Sequence, residues 1–213
     1  ETIEKISDIK VATPVAFRIG EVKFHDETKY PGIIGIPTKK ASDYFESTTP
    51  LESGRNFRKN EKNSVMLGYR IAKKVFEDEI RVKNKIRINN KDFRVIGIFE
   101  EVGNQDNDNW IVIPFESFRE IFKTGNAVDT ISAQVKPGSD IPLTQKKIEK
   151  VLKRSRGDEN FQVLTPTQIL EQINQVLGVI QIVLVGIAAI SLVVGGLGIM
   201  NSMYTSVLER TRD

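Results

Sequence analysis

The chain has 213 residues, with 31 Lys and Arg against 28 Asp and Glu, one His and no Cys, for a formal net charge of +3. A charged fraction of 28% beside 39% apolar residues excludes a disordered or collagen-like chain and leaves room for one ordinary domain and a remainder. Charge of mixed sign speaks against a nucleic-acid partner, and zero Cys excludes disulfides, iron–sulfur clusters and thiolate zinc sites.

Residues Ile3 to Phe24 alternate loosely between apolar and charged, with Val15, Phe17 and Ile19 on one face and Pro14 interrupting, which predicts one or two edge strands. Ile33-Ile34-Gly35-Ile36 is a second apolar run, and Lys39 to Phe45 is a short helix candidate. Val65-Met66-Leu67 reads as a buried strand, after which Tyr69, Ala72, Lys73 and Phe76 take up helical spacing. Lys85 to Asn89 and Phe93 to Phe99 flank Asn89-Asn90-Lys91, which is hairpin chemistry because Asn tolerates positive φ.

Gly103 to Asn109 has no apolar side chain and reads as a solvated loop, followed by a strand over Trp110 to Ile113. Asp106 and Asp108 invite a calcium reading, but the Gly and bidentate Glu that an EF-hand needs at fixed later positions are missing. Phe115, Phe118, Ile121 and Phe122 form a helical stripe after Pro114, expected to be core. Thr130 to Val135 then predicts a strand, Ile141 to Leu152 a helix, and Phe161 to Leu164 another strand.

Thr165-Pro166 is a helix start, and the helix from Thr167 is expected to run into the next segment without a flexible linker. No charged residue lies between Glu171 and Glu209. Within this stretch Val179 to Met200, about 22 residues rising ~33 Å as a helix, matches the hydrocarbon thickness of a bilayer, and Gln181 is its only strongly polar side chain. Its position and flanks are not those of a secretory signal. Arg210 and Arg212 favour a cytoplasmic C-terminal side, with the folded part translocated. Ser191, Gly195, Gly198 and Ser202, spaced four, three and four apart, share one face on which another helix backbone could approach closely. A first residue of Glu1 and a close on Asp213 suggest an excerpt of a longer polypeptide with further membrane helices.

Motifs for chemistry are missing. No phosphate-binding Gly-x-x-x-x-Gly-Lys-Ser/Thr loop, dinucleotide Gly-x-Gly-x-x-Gly turn or Gly-x-Ser-x-Gly elbow is found. His25 is the single imidazole, and its neighbours Phe24 and Asp26 do not build a catalytic arrangement around it. Carboxylate runs such as Glu77-Asp78-Glu79 and Glu100-Glu101 read as solvated faces. The chain is therefore not expected to be an enzyme, and no metal or cofactor is expected on it.

Gly195-Gly196-Leu197-Gly198-Ile199-Met200-Asn201-Ser202-Met203, followed by Ser206-Val207-Leu208-Glu209-Arg210-Thr211-Arg212, resembles the segment that closes the extracytoplasmic domain of MacB-like and FtsX-like ABC transporter permeases. Asp213 stands where Glu is usual and Tyr204 replaces a common Leu. Leu51 to Phe57, Lys85 to Asn89, Phe93 to Phe99 and Trp110 to Pro114 extend the resemblance through most of the chain.

What the resemblance implies is an α+β extracytoplasmic domain in two parts followed by a transmembrane helix. A porter-like α/β part would comprise residues 1–52 and 126–172, and an inserted, strand-rich Sabre-like part residues 53–125. The transmembrane helix and its extension would be residues 173–208, and residues 209–213 the start of a cytoplasmic coupling segment. Glu209, Arg210, Thr211 and Arg212 would then lead to contact with an ATP-binding subunit, which carries the ATP. The implied partners are that ATPase, a second permease copy in a homodimer, the membrane and an extracytoplasmic protein. The implied work is mechanotransmission, with helix movement driven by ATP passed to the outer domain. A receptor whose extracellular sensor domain signals through its last helix shares this topology, and a membrane-anchored enzyme is a third reading.

Overall fold

The computed structural model describes residues 2–46, 49–125, 127–157 and 160–210. The chain divides into two compact units, Glu1–Ser139 and Asp140–Asp213.

The first unit opens with a single 3₁₀ turn, Ile3–Lys5, and the strands β1 (Ile9–Ile19), β2 (Val22–Phe24), β3 (Glu27–Lys29) and β4 (Gly32–Ile36). Helix α1 (Ala41–Glu46), β5 (Leu51–Gly54), β6 (Ser64–Leu67) and α2 (Tyr69–Lys73) follow. The unit continues through β7 (Lys85–Ile88), β8 (Lys91–Phe99), α3 (Gln105–Asp108), β9 (Ile111–Pro114), α4 (Phe115–Phe122) and β10 (Thr130–Val135). The sheet order is β10-β1-β4-β9-β6-β8-β7-β2-β3, with β5 on β8. The β4–β9 and β6–β8 pairs are parallel and the others antiparallel. This is a mixed, sheet-rich α+β fold.

Strand periodicity distributes apolar side chains to two cores. Ile33, Val65, Leu67, Ile111 and Ile113 join Ile71 of α2 and Phe118 of α4 in one cluster. Their neighbours Ile34, Ile36, Met66 and Val112 join Ala41 and Phe45 of α1 in the other. Gly35 is required where α4 crosses β4, since a Cβ there would lie 2.6 Å from the Phe118 ring. In β8 the alternation is broken on purpose. The register slips between Val65 and Met66, opposite Val95 and Gly97. Ile98 thereby returns to the cluster of Phe93 and Val95, while Ile96 and Phe99 serve the other.

Local chemistry explains several elements. Asn89 and Asn90 have φ of 42° and 68°, so the two-residue connection between β7 and β8 takes left-handed backbone that Asn tolerates. The Phe115–Ile121 stripe of α4 packs as predicted against the sheet, with Phe118 fully buried.

Other expectations are corrected. The N-terminal region is not an edge: β1 is an 11-residue strand lying between β10 and β4. Residues Ile9 to Val15 pair with β10, and Ala16 to Ile19 pair with β4. Asp129 pins this change of partner. Its Oδ2 accepts the Phe17 amide at 2.8 Å, its Oδ1 and Oδ2 receive Arg18 Nη1 at 3.1 and 3.0 Å, and its own amide donates to Val15 O at 3.2 Å. The Phe17 amide first, then Arg18, hold the Asp129 carboxyl below the usual carboxylate range. Helix α2 ends at Lys73, so Phe76 is buried from the following turn rather than from the helix.

Residues 103–109 are not wholly solvated. Gln105–Asp108 forms one helical turn, and Asp108 is buried, its carboxylate accepting the amides of Val102 and Gly103 at 3.0 and 3.1 Å. Asp108 is thus spent on the loop's own backbone; the Asp106 side chain lies outside the described residues.

The second unit holds α5 (Ile141–Arg156) and α6 (Pro166–Arg210). Asp140 caps α5 by accepting the Leu143 amide at 2.8 Å, and Gly157 ends it at φ 72° with its amide on Lys153 O. Phe161 to Leu164 lies between the helices and forms no strand among the described residues, contrary to the predicted strand.

Candidate functional site

Helix α6 begins with reciprocal capping. The Thr165 hydroxyl accepts the Gln168 amide at 3.3 Å while Gln168 Oε1 accepts the Thr165 amide at 3.1 Å, and Pro166 occupies the first helical position. From there the helix is unbroken for 45 residues, about 67 Å of rise. The segment Pro166–Val207 is long and apolar enough to cross a membrane, and none of its most apolar stretch is buried in the protein. The polar start of the helix therefore passes into the apolar part without a joint.

Ser191, Gly195, Gly198 and Ser202 lie within about 60° of one another around α6 at the helical repeat. A Cβ added at Gly195 or Gly198 would meet nothing within 4 Å, so this face is open. The Ser191 hydroxyl donates to Ile187 O at 2.9 Å and the Thr205 hydroxyl to Asn201 O at 3.0 Å. Such back-bonding satisfies each hydroxyl within its own helix, as an apolar medium requires. Arg210 is the last described residue of α6, and the Glu209 side chain, Thr211 and Arg212 lie outside the described residues.

Beside the root of α6 the second unit forms an open groove of about 850 Å³, walled by α5, the 161–164 segment and the first turns of α6. Gln145 of α5 ties the three walls together. The two hydrogens of its Nε2 are shared among Val163 O at 2.8 Å, Glu149 Oε1 at 3.1 Å and Gln168 Oε1 at 3.3 Å. The sequence reading missed this hub; the Thr165-x-x-Gln168 spacing was its readable half, whereas Gln145 carries no local signal.

The candidates for chemistry are dispersed. His25 sits at a turn with φ 50°, stacked on Phe24 at 4.1 Å, with Nδ1 2.9 Å from Asp78 Oδ2 on the open surface. Glu101 pairs with Lys74 at 2.6 Å. No group of three or more His, Asp or Glu able to hold a metal occurs among the described residues.

Residues 1–151 match the family model described as the MacB-like periplasmic core domain. The chain is 41% identical over 194 residues to an uncharacterized ABC transporter permease of Methanocaldococcus jannaschii, covering 91% of this chain and 49% of that protein. It is 30% identical over 223 residues to the macrolide export ATP-binding/permease protein MacB of Bdellovibrio bacteriovorus, covering 98% of this chain and 34% of that protein. The chain thus spans about half or less of the length of these curated relatives. Its fold resembles the crystal structure of the periplasmic region of MacB from Actinobacillus actinomycetemcomitans, with a TM-score of 0.70 at 20% identity over 81% of this chain and 79% of that one.

Proposed function

Because this chain belongs to the MacB-like periplasmic core domain family, we propose that it is part of a permease subunit of a MacB-type ABC transporter, without catalysis of its own. Residues 1–172 are the outer domain, and the α6 segment 173–208 is the membrane helix that drives it. ATP is hydrolysed on a separate ATP-binding subunit or region, reached through the segment that starts at Glu209 and Arg210. The observation that carries this reading is the continuity of α6, capped at Thr165 and helical through Arg210. A helix without a joint conveys displacement along its length, which is what mechanotransmission demands. The names of the relatives support a transporter in preference to a sensory receptor.

The remaining assignments belong to the same reading. The outer domain faces the extracytoplasmic side and offers a surface to an extracytoplasmic partner protein. A second permease copy packs through Ser191, Gly195, Gly198 and Ser202. Within the outer domain, the porter-like part is taken as residues 1–52 and 126–172 and the inserted strand-rich part as residues 53–125.

The test is a flexible Gly-Gly-Ser-Gly insertion after Gln175 in the full-length permease reconstituted with its ATPase. Spin labels at Lys59 of each copy report outer-domain separation. Wild type is expected to change separation on ATP binding, and the insertion to abolish that change while ATP hydrolysis persists. A response of equal size in the inserted protein would remove the rigid-rod mechanism.

A further inference from the structure

Positive charge is concentrated on one element. Helix α5 carries Lys146, Lys147, Lys150, Lys153, Arg154 and Arg156 against Glu149, a net of +5, so that the rest of a +3 chain is net −2. Lys146, Lys150 and Lys153 recur four and three apart, within about 60° on one face of α5. All three are exposed and line the groove against α6, whose Gln172 and Gln175 form the opposite wall, with Phe161 between. Among the described residues, two carboxylates share the groove. Glu149 already accepts from Gln145, and Glu171 is the last charge before the apolar stretch, leaving the lining net positive.

The groove has a defined position along α6. Its lining ends at Gln175, and from Val176 onward the exposed surface of α6 is apolar, Gln181 apart, for the length of a bilayer. A molecule seated there meets ammonium groups and amides at one end and continues onto a bare apolar helix at the other.

We infer that this groove binds the headgroup of an anionic phospholipid from the leaflet that α6 enters. Lys146, Lys150 and Lys153 take the phosphate, the Gln172 and Gln175 amides donate to the glycerol and ester oxygens, and the acyl chains lie along α6 beyond Val176. Three lysines on flexible stems suit a phosphate at variable depth, and each lysine near an anionic surface contributes about a fivefold gain in affinity. The site rests on α6 being the membrane span but not on the transporter reading, and it anchors the root of α6 to the bilayer surface.

The experiment uses the full-length protein in nanodiscs of phosphatidylcholine alone or mixed with phosphatidylglycerol, with retained lipid counted by native mass spectrometry. Wild type is expected to retain phosphatidylglycerol in preference to phosphatidylcholine, and Lys146→Glu/Lys150→Glu/Lys153→Glu to lose at least about tenfold of that preference. The Lys→Gln triple is expected to fall between them. A charge-matched control, Lys39→Glu/Lys59→Glu/Lys83→Glu, should retain lipid as wild type does. No preference in wild type, an undiminished preference in the groove variant, or an equal loss in the control overturns the site. Binding of an acidic protein partner in place of lipid at the same lysines also overturns it. Failure of wild type to float with vesicles would overturn the span itself, whereas flotation without lipid preference sinks only the headgroup site.

Discussion

Ile33, Val65 and Ile111 of the first unit are fully buried, whereas Ile182, Leu192 and Ile199 of α6 are 73%, 78% and 64% exposed. The side chains are chemically alike, and what differs is the source of the medium that receives them. The first unit supplies its own, because strands alternate and helices α1, α2 and α4 cover the sheet. Beyond Gln175, helix α6 is apolar round most of its circumference and exposed, a surface suited to lipid or to another helix. Damage to the first unit should therefore register in folding, and damage to α6 in assembly and coupling.

The largest expected effect is Phe118→Ala, which empties the contact over Gly35 and should cost about 3–5 kcal/mol in denaturant unfolding of the full chain. A midpoint within error of wild type would mean that the sheet does not depend on α4. Next, Asp108→Ala strands the Val102 and Gly103 amides and should cost about 1–3 kcal/mol by the same assay. Thr165→Ala removes the cap of α6 and should cost about 1 kcal/mol, read as faster amide exchange confined to its first turns. Exchange that spreads along the whole helix would show that the cap matters globally.

Asp129→Asn tests a smaller, pH-dependent term. A lowered folded-state pKa gives stability that is present above the ordinary carboxylate value of about 3.9 and disappears as pH falls through the lowered value. Wild type should thus lose thermal midpoint below about pH 4 more steeply than the Asn variant, and parallel curves would refute the assignment. At the bottom of the scale, Gly195→Leu/Gly198→Leu should shift unfolding of the first unit by less than about 0.5 kcal/mol. The same pair should reduce the dimer seen by light scattering, so an intact dimer would remove the packing role of that face.

The legible parts of the fold are those written in local chemistry. Asn89-Asn90 announces the β7–β8 turn, the Phe115 to Phe122 spacing announces α4, and Thr165-Pro166 followed by a charge-free stretch announces α6. The missed parts depend on distant partners. Nothing near Ala16 indicates that β1 exchanges β10 for β4, because that choice belongs to Asp129 and to strands far along the chain. The polar look of residues 103–109 concealed a carboxylate buried on its own loop. At the candidate site, the small-residue face followed from spacing, whereas the groove needed α5 brought beside α6, which spacing cannot report.

The exchange of partners within β1 has a consequence under load. A tension applied along β1 acts parallel to both ladders, perpendicular to their hydrogen bonds. Bonds stressed in that direction must yield together, while bonds at the end of a peeled hairpin such as β2–β3 yield one at a time. The strand is therefore a splice between two ladders, strongest along its own axis and weak to peeling.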